Sequence, residues 1–149
     1  MNERNLAGQV SPPRWFWVVS AVLTLWGLAG VAAWYGHVST GPATLAHMTD
    51  YDRRLFLTLP AWFAYDYAVA TIGALAGGIA LLLRLRRAWM LYLVSLVAVI
   101  VQFVWVFAAT DLIAAKGAAA TLPFPLFVFA MSVVSFGFAR LASARGWLR

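Results

Sequence analysis

Asp66 alone among the chain's five acidic residues lies well inside a long apolar run. A carboxylate is costly to hold in hydrocarbon, so an acid in that position is by default a candidate proton- or cation-coupled site. Counted from the nearer end of its run, Asp66 is five residues deep and Gln102, in the next run, is seven deep. At 1.5 Å rise per residue both sit roughly 7 to 11 Å below the same interface. Hydrogen bonds between membrane helices contribute on average only about 0.6 kcal/mol, up to roughly 2, so a packing role would need no strong pair. Asp66, Gln102 and His37 form the candidate intramembrane polar site. The competing reading is structural: a carboxylate that snorkels to the interface or is capped by Gln102, His37 or Tyr65.

Other chemistries find little support. His37 and His47 are the only imidazoles and match no metal-ligand spacing. The absence of cysteine excludes disulfides, thiolate metal sites and a Cys nucleophile. Asp50, Asp52 and His47 make the one polar cluster worth naming. No paired carboxylates or Ser/His/Asp set falls within reach of one interface, so neither an enzyme nor a metal or cofactor site is expected. The net charge of +6 comes from basic residues spaced between apolar runs rather than gathered on a face, which argues against nucleic acid.

The elements that must position these groups follow from composition. Hydrophobic residues make up 64% of the chain and charged ones 11%, where soluble domains are about a quarter charged. The 149 residues fit one transmembrane domain, residues 1–149, nearly used up by four spans of about 20 residues each. The pattern predicts spans over 15–35, 61–83, 88–109 and 122–141. Trp15, Trp17, Trp34 and Tyr35 place aromatic belts on the first, which is expected to be a retained anchor because a signal's apolar region is about 7 to 15 residues. Residues 36–60 form the long outer loop, in which 43–57 is expected to make an interfacial helix, with Leu45, Met48, Leu55 and Phe56 on its apolar side. Pro60 suits a helix start.

Basic residues near span ends set orientation. Arg4, Arg14, Arg84, Arg86, Arg87, Arg140, Arg145 and Arg149 lie on one side, against Arg53, Arg54 and Lys116 on the other. The expected fold is therefore an all-α integral membrane four-helix bundle of the bacterial inner membrane with both termini cytoplasmic.

Small residues mark the seams. In the second run Trp62, Asp66, Ala70, Gly73, Gly77 and Ala80 share a stripe, and Gly73-x-x-x-Gly77 permits close backbone approach. In the first, Ser20, Gly27, Gly30, Trp34 and His37 share another. Ser95 and Gln102, seven apart, share a face of the third. Whether the glycine seams serve this chain or another subunit stays open.

The runs Pro12-Pro13-Arg14-Trp15-Phe16-Trp17, Leu25-Trp26-Gly27-Leu28-Ala29-Gly30, Leu59-Pro60-Ala61-Trp62 and Leu81-Leu82-Leu83-Arg84 to Trp89, followed by Ser95-Leu96 and Gln102, carry a resemblance. Together they resemble a family of small four-helix proteobacterial membrane proteins often labelled sugar transporters. Members often carry Asn where this chain has Gly27, which removes a polar group from the first span. The resemblance implies a solute-handling role. The residues themselves fit two readings: an accessory or assembly subunit acting through helix–helix contacts with other membrane subunits, which the composition favours, or an oligomeric transporter of a small sugar-like or proton-coupled solute. A sugar would need several convergent polar groups in a pocket of about 300 Å³ or more. Beyond the lipid bilayer, the expected partners are other membrane subunits or further copies of the chain.

Overall fold

Pro12 and Pro13 hold the backbone extended before the first apolar run, and helix begins at the next residue. A computed structural model describes residues 10–149; Arg4, one of the orientation signals, lies outside them. Every regular element described is helical. Four helices are long and apolar enough to cross a membrane: α1 (Arg14–Val38), α4 (Ala61–Leu82), α5 (Ala88–Ala109) and α8 (Pro123–Ala144). Their bounds lie within three residues of those drawn from hydropathy, because apolar runs end where prolines and charged residues begin. The connections add α2 (Pro42–Ala46), α3 (Asp50–Thr58), α6 (Leu112–Lys116) and α7 (Ala118–Thr121).

The single loop helix expected over 43–57 is two helices. The chain breaks between them because Thr49 adopts an extended backbone and caps α3, its hydroxyl oxygen accepting from the Asp52 amide at 3.1 Å. As expected, Met48, Leu55 and Phe56 turn toward the spans, over a recess that also holds His37 and Phe63.

The long helices stand in an arc, α1 beside α4, α4 beside α5 and α5 beside α8. Neighbours run antiparallel. The central helix α4 therefore needs small residues on two faces. Toward α1, a Cβ on Gly27 would lie 2.6 Å from the Leu75 backbone, and one on Gly78 would lie 2.7 Å from the Thr24 hydroxyl. Toward α5, a Cβ on Gly77 would lie 2.8 Å from the Tyr92 ring. Adjacent residues on a helix point about 100° apart, so Gly77 and Gly78 serve different neighbours. Within the chain, Gly27 and Gly30 meet α4, and Gly73 and Gly77 meet α5.

The two ends of the arc differ. At the end bearing the α4–α5 turn and the C-terminal residues, here the terminal end, both α4 and α8 finish in a reversal in which an amide reaches back to the carbonyl five residues earlier. Leu85 N donates to Ala80 O at 2.8 Å, and Trp147 N to Ala142 O at 3.0 Å. The left-handed residue that each reversal requires is Gly146 at φ 70° in one and Arg84 at φ 60° in the other. Arg84 is held there by the tail, its Nε donating to Trp147 O at 2.7 Å while Arg149 N donates to Arg84 O and Arg86 N to Arg149 O. Trp147 and Leu148 are thereby folded into the core with Phe16, Leu81 and Tyr92. At the opposite, loop end, the short helices lie over the spans.

Candidate functional site

Between the four long helices, in the half nearer the loops, lies a cavity of ≈ 360 Å³. Each helix gives it one wall. α1 contributes Trp26 and Gly30, α4 Tyr67 and Thr71, α5 Ser95 and Gln102, and α8 Val128 and Ser132. Toward the terminal end it is blocked by the core around Leu23 and Tyr92 and, beyond that, by the rings of Trp15, Phe16, Phe138 and Trp147, whose centroids lie 5.2–5.8 Å apart. On the side between α1 and α8 the helices make little backbone contact, and Trp26 reaches Phe127 edge-on at 5.4 Å across the gap.

The lining is apolar with a few polar groups, and most of those are already engaged. The Ser95 hydroxyl donates to Ala70 O at 2.5 Å, Thr71 to Tyr67 O at 2.9 Å and Ser132 to Val128 O at 2.9 Å. Each hydroxyl spends its single proton on backbone. Gln102 and Tyr67, whose side-chain polar groups have no hydrogen-bond partner among the described residues, also line the cavity. Among the described residues no charged side chain lines it.

The three sequence candidates are placed apart. Gln102 is in the cavity wall. His37 lies outside it among aromatic rings, 4.9 Å from Phe56, 5.6 Å from Tyr67 and 5.9 Å from Phe63. Asp66 faces the α4–α5 seam. The register there sets Gly73 against Ser95 and Trp62 against Trp105, so Asp66 falls at the level of Gln102. No hydrogen bond joins the two, and Asp66 Oδ2 is buried without a partner among the described residues. Tyr67 both lines the cavity and packs its ring against His37. It drew no attention in the sequence because an interfacial tyrosine is unexceptional there. Thr71 escaped too, lying one position off the small-residue stripe.

Above the cavity, polar contacts strap the two loops together. The Tyr51 hydroxyl donates to Asp111 Oδ1 at 2.7 Å, and Lys116 pairs with Asp52. The Lys116 hydrogen bond, then that from Thr49, holds the Asp52 carboxyl below the usual carboxylate range. The hydrogen bond to Asp111 pushes the Tyr51 hydroxyl above its ordinary value. Asp50, named in the sequence with Asp52 and His47, pairs instead with Arg53 on the surface. Among the described residues no group of three His, Cys, Asp or Glu side chains is placed to hold a metal ion.

No protein-family model matches this chain, and no curated protein or solved structure matches it.

Proposed function

We propose that the chain is a small multi-pass protein of the bacterial inner membrane that admits a small solute to the cavity between its four helices, the transporter reading of the sequence. The cavity carries this proposal: its ≈ 360 Å³ exceeds the roughly 300 Å³ at which small-molecule pockets begin. The resemblance to proteins labelled sugar transporters points the same way. So does the use of Gly27, Gly30, Gly73 and Gly77 inside the chain, which leaves none of them for a partner. In this reading Gln102 and Tyr67 contact the solute directly, while Asp66 and His37 lie one layer behind. The arginines at the terminal end put both termini and the α4–α5 turn in the cytoplasm, and the loop helices in the periplasm.

A specific observation keeps the accessory-subunit reading alive. α8 packs chiefly on α5, and a Cβ on Gly137 would meet no atom within 4 Å, so one face of α8 is free for a second subunit. Extraction in mild detergent, followed by native mass and identification of every co-purifying chain, separates the two. A homo-oligomer supports the solute protein, and stoichiometric foreign subunits overturn it in favour of the accessory role.

A further inference from the structure

Resting on the solute-cavity reading, we infer that the occupant is a neutral single-chain amphiphile that comes from the surrounding bilayer through the gap between α1 and α8, with Gln102 holding its polar head. Three observations converge on this class. First, the hydroxyls of Ser95, Thr71 and Ser132 donate to backbone carbonyls, so the wall is short of the donors that the several hydroxyls of a free sugar require. What remains without a partner among the described residues is the Gln102 amide, with two donors and an acceptor, the Tyr67 hydroxyl and the Trp26 indole N–H, enough for a single hydroxyl or ester head. Second, no cation lines the cavity, so a phosphate or carboxylate head would be taken out of water without a counter-charge. Third, the cavity is closed toward the terminal end by aromatic rings packed edge-on and face-on, while its α1–α8 side is bridged by the Trp26–Phe127 pair rather than by packed backbone. That side faces lipid: Phe124, which lines the cavity, and Phe127, which bridges the gap, are 69% and 53% exposed. At ≈ 360 Å³ the space lies at the low end of ligand pockets, which suits one chain rather than a two-chain lipid.

The chain has no cysteine, so a single introduced thiol reports on its own surroundings. Ser132→Cys places one in the cavity wall, Val133→Cys one on the neighbouring exposed position and Ala139→Cys one in the core. Each variant, in proteoliposomes, is treated with a lipid-partitioning pyrenyl maleimide or a membrane-impermeant sulfonated maleimide, with and without 1-monopalmitoylglycerol. The expected result is that Ser132→Cys reacts at least tenfold faster with the pyrenyl reagent and that monopalmitoylglycerol slows this about tenfold. Val133→Cys reacts with the pyrenyl reagent unprotected. Adding Gln102→Leu lowers the protection several-fold and leaves the unprotected rate unchanged. Faster reaction with the sulfonated reagent, or no protection by monopalmitoylglycerol, overturns the amphiphile and leaves a water-accessible solute cavity standing. Reaction of Ser132→Cys as slow as that of Ala139→Cys with both reagents overturns the cavity reading as well.

Discussion

At the terminal end Phe16, Leu81, Ala88, Ala139 and Ala142 are fully buried, whereas toward the loop end the same four helices part around a cavity of ≈ 360 Å³. Both halves use the same kinds of apolar residue, so hydrophobicity does not distinguish them. What differs is what fills the space between α1 and α8. At the terminal end it is filled by side chains from outside the spans, chiefly Trp147, swung inward by the reversal at Gly146 and pinned by Arg84. At the loop end the connecting segments bind each other across the top, through Tyr51–Asp111 and Asp52–Lys116, and the ring they send toward the helices, Phe56, packs on His37 and does not enter the cavity. A four-helix arc this short closes only where something beyond the helices closes it.

Removing that filler gives the largest effect. Trp147→Ala is expected to cost about 3–5 kcal/mol, whereas Phe124→Ala, at the exposed rim of the cavity, should stay within about 0.5 kcal/mol. Both are read from unfolding curves in mixed micelles; equal losses would erase the distinction between the halves. The seams come next. Gly27→Leu drives a side chain into the Leu75 backbone and should cost about 3 kcal/mol, while Gly137→Leu on open surface costs little. Folded yield after extraction checks the pair. A smaller contrast tests the cavity itself: Ala139→Leu overpacks a closed core and destabilises by about 1–3 kcal/mol, but Ser132→Leu fills space and should be neutral or stabilising by up to about 2 kcal/mol. Loss of stability at both positions would mean the loop half is as tightly packed as the other.

The smallest effect concerns the strap. Because Asp52 is depressed by its contacts with Lys116 and Thr49, its contribution is complete above the usual carboxylate range and is lost as pH falls through its own lowered value. Tyr51 behaves oppositely: its raised value keeps the Asp111 tie at pH below the ordinary tyrosine range and releases it as pH rises through the raised one. Amide protection in α3, corrected for intrinsic exchange, should fall a few-fold at both extremes while that near Leu81 stays constant. Both groups are solvent-exposed, so salt should weaken the strap further.

The spans were legible because bilayer thickness acts on each run of residues separately: Pro60 opens one run, Arg84 closes it, and no knowledge of neighbours is needed. The glycine stripes were legible as seams for the same local reason. Their assignment was not, since the sequence cannot say that Gly77 will meet Tyr92 while the next residue, Gly78, meets Thr24. Gly78 lies off the stripe that drew attention and is no less constrained. The polar candidates were chosen by depth, and depth alone places Asp66 beside Gln102; which of them opens on a cavity depends on the rotation of two helices about their axes. The tail was the largest omission. Residues 145–149 read as a basic terminus that marks topology, yet Gly146 is the signal that it turns back, and Trp147 is the ring that it delivers.

The glycines that let α4 lie close to two neighbours also bear on how the chain enters the membrane. Together with Asp66 and Thr71 they make α4 the least apolar of the four long helices. An acid costs about 2.5 to 3.5 kcal/mol at the centre of an isolated helix on insertion scales and less at the five-residue depth of Asp66, and glycine adds no apolar surface to offset it. The helix that packs most intimately is therefore the one least able to partition into lipid alone. Its integration is expected to draw on the contacts it makes with α1, which precedes it in the chain, so the order of synthesis bears on the fold.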